Sequence, residues 1–209
     1  REYKIDNNII DVFNNMGLSV EEINDDELAN INWDDYRIIF IGDERFRNHE
    51  EIPITEKPTI IANYYFGNEF GLTDSDGISK LASNNPLEVQ LKTNGMDIVQ
   101  VYTQAKYSLG STAIPYYFLD DENKVEGLES VARTYTGKYQ SDFGDVIAYL
   151  NPGDSLNGNN IDNKICFYGI IESDFWTSEA EEMFTDCVNF VAVTCESDNE
   201  CEDDTGDKY

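Results

Sequence analysis

Positive charge is scarce in this chain. Its 209 residues hold 14 Lys and Arg against 42 Asp and Glu, a formal charge of −28. A surface of that sign repels nucleic-acid backbones and anionic lipid headgroups, so neither is an expected partner. It suits high salt, or an exterior rich in divalent cations. Long apolar runs are missing too. No stretch approaches the roughly 20 apolar residues that span a bilayer, and no hydrophobic leader is read at the start. Direct membrane insertion is therefore not expected. Asn is abundant, yet no Asn-x-Ser/Thr sequon occurs, which removes N-glycosylation as an expected modification. Histidine occurs once, at position 49.

What is present is a folding sequence. Apolar residues make up 40% and aromatics 12%, and the length fits one full-sized domain with a buried core. Ile5, Ile9, Ile10, Phe13 and Met16 recur at helical spacing, with Gly17 placed to end the helix. The chain opens on Arg1 rather than Met and is read as a processed or excised piece. A doubly wound fold would set a strand before that first helix, so this strand is expected upstream.

Four cysteines divide into two kinds. Cys166, in the apolar run KICFYGI, and Cys187, on the apolar face of a predicted helix, read as buried free thiols. Cys195 and Cys201 lie in the acidic stretch CESDNECEDDTGDKY. No nearby His or second cysteine pair completes a zinc site there, so a small disulfide loop is expected. That favours an oxidising setting, extracellular or at the cell surface. Composition changes sharply after Thr194, which divides the chain into a domain over 1–194 and an acidic tail or linker over 195–209.

Strands are predicted at 19–23 (SVEEI), 37–43 (RIIFIGD) and 58–65 (PTIIANYY); PLEVQL and DIVQVYT alternate in polarity and read as antiparallel strands with Asn-Gly between them, and IPYYFLD, SVARTYT, DVIAYLN and KICFYGI are further strands. Residues 76–83 (DGISKLAS) read as a short helix stopped by Asn-Asn-Pro. The closing helix is the clearest: Ser178 is its expected cap, Glu181 completes a capping box, and Met183, Phe184, Cys187, Val188 and Val191 form its apolar face.

The order of these elements, an apolar strand ending Ile-Gly-Asp, then PTIIANYYFG, then KICFYGIIESDFWTSEAEEMFTDCVNFV, resembles the class I glutamine amidotransferase-like domain over about residues 4–193. It looks closest to the divergent copies found in large prokaryotic and archaeal surface proteins. The resemblance implies a flavodoxin-like α/β three-layer sandwich, with a mostly parallel central sheet and antiparallel additions. Active members carry a Cys at the turn after the strand matching PTIIANYYFG, and a His beyond the strand matching KICFYGI. Here the nucleophile position falls on Asn63, or on Tyr64 with a slip of one. The His position falls within 171–173, which reads Ile-Glu-Ser. Neither an amide nor a phenol replaces a thiolate poised beside a base. His49 reads as a solvated loop residue.

Other constellations are weaker. Asp43 and Glu44 lie past one strand and Glu172 and Asp174 past another, at the end where open α/β sheets bind ligands. With Asn63, Tyr64 and Tyr65 they could coordinate a cation or bind a sugar, although a surface carboxylate cluster is the plainer reading. Residues 73–79 (TDSDGIS) resemble half an EF-hand loop, but Leu72 and Ser83 occupy the flanking ligand positions, which leaves an Asp-Gly turn. The acidic tail offers oxygen ligands for calcium, or simply a solvated linker. Tyr64, Tyr65, Tyr102, Tyr107, Tyr116 and Tyr117 suit carbohydrate or protein contacts, though strand positions half-bury most of them. The expectation is thus a non-catalytic structural, adhesion or assembly module that meets other surface-protein modules or carbohydrate and has no cofactor beyond possible calcium. A carboxylate- and metal-dependent hydrolase, and a calcium-dependent binding module, are the alternatives.

Overall fold

A computed structural model of the chain describes residues 6–75, 78–92, 97–107, 111–137 and 142–192. The first helix, α1 (Asn7–Asn15), buries Ile9, Val12 and Phe13 on one stripe. Gly17 ends it in the left-handed region at φ 75°. Its amide donates to Asn14 O at 3.0 Å, and the Leu18 amide donates to Phe13 O at 3.0 Å, closing the last turn as the sequence predicts.

The strands are β1 (Ile39–Ile41), β2 (Thr59–Ile61), β3 (Ile78–Ala82), β4 (Glu88–Leu91), β5 (Ile98–Gln100), β6 (Pro115–Asp120), β7 (Glu129–Tyr135), β8 (Gly144–Leu150), β9 (Ser155–Leu156), β10 (Asn159–Asn160) and β11 (Ile165–Tyr168), and helix α2 (Ser178–Ala192) follows. Nine of them form one sheet in the order β1-β2-β11-β8-β7-β4-β5, with β6 pairing both β8 and β3. Only β1, β2 and β11 run parallel; every other pairing is antiparallel. The expected mostly parallel sheet is therefore corrected to a mixed and mainly antiparallel one.

The three parallel strands are buried on both sides, which explains their unbroken apolar runs. Ile60, Cys166 and Tyr168 face a core shared with α1 and α2, whereas Ile61, Ile165 and Phe167 face a second core. No helix covers that second face among the described residues. The connections 42–58 and 62–75 cover it instead, sending in Ile54, Phe66, Phe70 and Leu72. Pro53, Pro58, Gly67 and Gly71 punctuate these connections and hold no more than one short helical turn, His49–Glu51. The described architecture is thus a mixed sheet with two α-helices on one face and ordered loops on the other.

Three local expectations are also corrected. Residues 19–23 form no strand but part of a loop. The helix predicted over 76–83 is strand β3, whose five residues each pair with β6; tertiary pairing overrides the weak helical pattern. Helix α2 is capped one residue earlier than predicted: Thr177 Oγ1 accepts from the Ala180 amide at 3.2 Å, and Ser178 is already inside the helix. Its predicted apolar face is buried throughout.

Cys166 and Cys187 are not free thiols. They form a disulfide from β11 to α2 across Cα atoms 5.9 Å apart, in the centre of the helix-side core. The spacing of a strand residue and a helix residue in sequence gave no sign of this proximity. Cys195, Cys201 and the boundary near 195 lie outside the described residues. No helix among the described residues is long and apolar enough to cross a membrane.

One polar network is buried away from the parallel strands. Asp145 is fully buried on β8 and accepts from Arg133 Nη1 at 2.9 Å, Ser130 Oγ at 2.5 Å and Lys124 Nζ at 2.5 Å. Arg133 also pairs with Asp121 and Asp142. In a chain so poor in cations, two of them are committed here. Burial raises the Asp121 carboxyl, but hydrogen bonds from Arg133 and Lys124 outweigh it and hold the group below its usual range.

Candidate crevice at the carboxyl end of the parallel strands

Strands β1, β2 and β11 end at one edge, and the loops that follow them meet there. The turn after β2 carries Asn63, which is 1% exposed. Its Nδ2 donates to Gly42 O at 2.5 Å and to Glu44 O at 2.9 Å, and its Oδ1 accepts the Tyr65 amide at 2.8 Å. The side chain therefore ties the loop after β1 to the turn after β2, and its hydrogen-bonding groups are consumed in doing so. Neither Asn63 nor Tyr64 has positive φ, and no helix follows β2 directly. A strained strand-to-helix turn of the kind that aims a nucleophile is absent among the described residues.

Beyond Asn63 the turn presents aromatic rings. Tyr64 stacks on Tyr117 with centroids 4.0 Å apart and planes at 7°. Its hydroxyl donates to that of Tyr65 at 2.5 Å. The Arg45 guanidinium lies 5.5 Å from the centre of the Tyr65 ring. Tyr117 comes from β6, and Gly169, just past β11, sets its position. The Tyr117 amide donates to Gly169 O at 2.9 Å, and a Cβ on Gly169 would stand 1.9 Å from Tyr117 O. Only glycine permits this approach of two backbones, and with it the stack.

The loop after β11 supplies Glu172. Several bonds pin it. Ser173 Oγ donates to Asp6 at 2.8 Å, Asn8 Nδ2 donates to Ser173 O at 2.8 Å, and Trp176 Nε1 donates to Ile170 O at 2.7 Å. Glu172 Oε1 accepts from the Tyr107 hydroxyl at 2.6 Å. Across the crevice stands Asp43. Burial of its carboxyl and then the charge of Glu172 push its pKa up to about 6, although the residue as a whole is exposed at the lip. Burial raises Glu172 as well; the Tyr107 bond opposes this, and the charges of Asp6 and Asp174 add to it. Burial likewise raises the phenols of Tyr64, Tyr107 and Tyr117. Among the described residues no cation is a leading influence on either carboxyl, and both stand close to tyrosine side chains.

Comparison with protein-family models, curated proteins and solved structures finds no match to this chain. The crevice has to be read from its own chemistry.

Of the residues named from sequence, Asp43, Asn63, Tyr64, Tyr65 and Glu172 come together. Glu44 and Asp174 are exposed and bear on the centre only through charge and, for Glu44, its backbone. Tyr107, Tyr117 and Asp6 were not assigned to the crevice by sequence. Tyr107 and Tyr117 belonged to a general class of contact tyrosines, and no local pattern signals that β5, β6 and β11 converge. Tyr102 and Tyr116 of the same class are fully buried, their hydroxyls bonded to Pro115 O and Glu88 O. His49 is not a solvated loop residue. Its ring stacks on Phe66 at 4.5 Å, and its side chain is 26% exposed, on the loop-covered face of the sheet. Among the described residues no His, Cys, Asp and Glu side chains converge in a group of three that could hold a metal. Asp76 and Gly77 of the half calcium loop lie outside the described residues.

Proposed function

We propose that this domain is a non-catalytic binding module of a secreted or cell-surface protein, built on an amidotransferase-like scaffold, and that its crevice holds carbohydrate or a surface-protein partner. The observation that carries this reading is the use of Asn63 as a buried three-bond clamp at the nucleophile position. The other groups that could attack a substrate are committed as well. Both described thiols are joined in a disulfide, and the histidine is packed on Phe66. What remains at the crevice is a recognition surface. A flat tyrosine pair offers stacking, and Asp43, Glu172 and the Tyr65 and Tyr107 hydroxyls offer hydrogen bonds to a polyol. The disulfide supports a location outside the reducing cytoplasm. The finer scaffold reading rests on the parallel trio and on the strand–loop–helix order from β11 to α2.

The test is a glycan array together with calorimetry on the wild-type protein and Tyr117→Ala. The expected result is binding of at least one glycan class that Tyr117→Ala weakens about tenfold. Binding to no glycan and no protein ligand by the wild type would reject the reading. One observation favours a second reading: the raised Asp43 and Glu172 pair has the environment of acid–base carboxyls in hydrolases. Turnover of glycoside, ester or amide substrates, with or without added calcium or other divalent metals, and its loss in Glu172→Gln, would establish that alternative.

A further inference from the structure

At one end of the sheet, β1 has a neighbour on one side only among the described residues. The Ile39 amide donates to Pro58 O, and the Ala62 amide donates to Ile41 O, so Ile39 and Ile41 turn their peptide groups toward β2. By strand alternation the amide and carbonyl of Phe40 and the amide of Gly42 point the other way. Among the described residues these three groups meet no backbone partner. A cavity of about 550 Å³ lies along this side of β1, lined without a break by residues 35–44 and also by the loop over residues 17–25. It reaches both faces of the strand: Phe13 and Phe40 wall one side, and Trp33 and Ile41 the other. A slot that straddles a strand edge and is apolar on both faces has the shape of a missing strand. Among the described residues its rim carries Asp6, Glu21, Asp35, Asp43 and Glu44, against Arg37 as the one basic residue of the lining.

We propose that this slot is a strand-addition site that captures an extended, basic segment of a partner polypeptide alongside β1. Backbone bonds to Phe40 and Gly42 give affinity, and alternate apolar side chains enter the two walls. Lys and Arg at the segment's ends meet the acidic rim. The slot adjoins the tyrosine crevice and shares Asp6 and Asp43 with it, but its strand-pairing groups are the backbone of Phe40 and Gly42, so it stands whether or not that crevice binds carbohydrate. It is also a device for assembly, because an open edge beside apolar walls is otherwise an aggregation hazard.

The probe is a short synthetic peptide alternating Val and Lys, with a Val–Glu counterpart of equal length. Amide hydrogen exchange followed by NMR reads the slot directly, with Ile41 as an internal reference because its amide faces β2. In the free protein the Phe40 amide is expected to exchange much faster than that of Ile41. Saturation with the Val–Lys peptide is expected to slow the Phe40 and Gly42 amides by about tenfold or more. The Val–Glu peptide is expected to bind at least about tenfold more weakly, and Asp35→Asn with Glu44→Gln, both exposed positions, to weaken the Val–Lys peptide several-fold. Unchanged exchange at Phe40 under saturation would overturn the proposal, and so would equal binding of the two peptides. A Phe40 amide already protected in the free protein would overturn it too, since it would show the edge to be covered by the chain itself.

Discussion

Asn63 and Asp43 show how single side chains decide what this crevice is. Asn63→Ala removes one buried amide and leaves two carbonyls and one N–H without partners. The expected cost is about 2–4 kcal/mol in urea unfolding, with the loop after β1 loosened. A loss below about 0.5 kcal/mol would show that water replaces the clamp freely. Asp43 makes a prediction about pH. Its folded pKa, about 6, lies above the unfolded carboxyl value, so between pH 4 and 6 the folded state holds more protons than the unfolded one. Stability from this group is therefore greatest below pH 4 and falls as pH rises through 6. Asp43→Asn abolishes that dependence. The melting temperature of the variant, relative to wild type, is expected to climb between pH 4 and pH 7, and a flat difference would show that the carboxyl is ordinary.

At the level of elements, the closing unit rests on the staple between β11 and α2. Replacing both Cys166 and Cys187 by Ala opens a loop closed across 21 residues. Chain entropy assigns that closure about 3 kcal/mol, and the buried sulfurs add packing lost with them. The expected outcome is a drop of about 3 kcal/mol or more in unfolding free energy, while non-reducing peptide mapping of the native protein recovers the Cys166–Cys187 pair. A native protein with two titratable thiols at these positions would refute the staple. The same elements show what the sequence made legible. α1, with its Gly17 terminus, and the apolar face of α2 were readable because helical periodicity and capping are local. So were β1, β2 and β11 as buried strands. The antiparallel sense of β4 and β5 was readable from their alternating polarity, and the structure pairs them so; for β6, β7 and β8 the choice between a parallel and an antiparallel neighbour is made by tertiary contacts and was not readable. The β3 segment failed for that reason, as its residues are held by β6 alone. Within the crevice, residues just past a parallel strand could be named, whereas Tyr107 and Tyr117 arrive from elements distant in sequence and carried no motif.

For the whole molecule the dominant fact is the charge of −28. Two opposing effects follow when salt is added. Screening relieves long-range repulsion among the carboxylates, which stabilises the compact state. It also weakens ion pairs, which destabilises it. The exposed pairs here, Arg47–Asp25 and Lys57–Asp34, are worth about 0–1 kcal/mol each, so little is lost with them. The pairs to Asp145 are buried and barely screened, since salt does not reach them. Repulsion therefore wins. Raising sodium chloride from about 0.1 M to about 1 M shortens the screening length from about 10 to about 3 Å. The melting temperature is expected to rise by about 5 °C, as each kcal/mol of relieved repulsion moves a domain of this size by about 2–4 °C. The rise should shrink near pH 4, where many of the carboxylates are protonated, and this separates charge screening from a general salting-out of apolar surface. A melting temperature that falls with sodium chloride at neutral pH would mean that the local pairs, and not the net field, govern the stability of this fold.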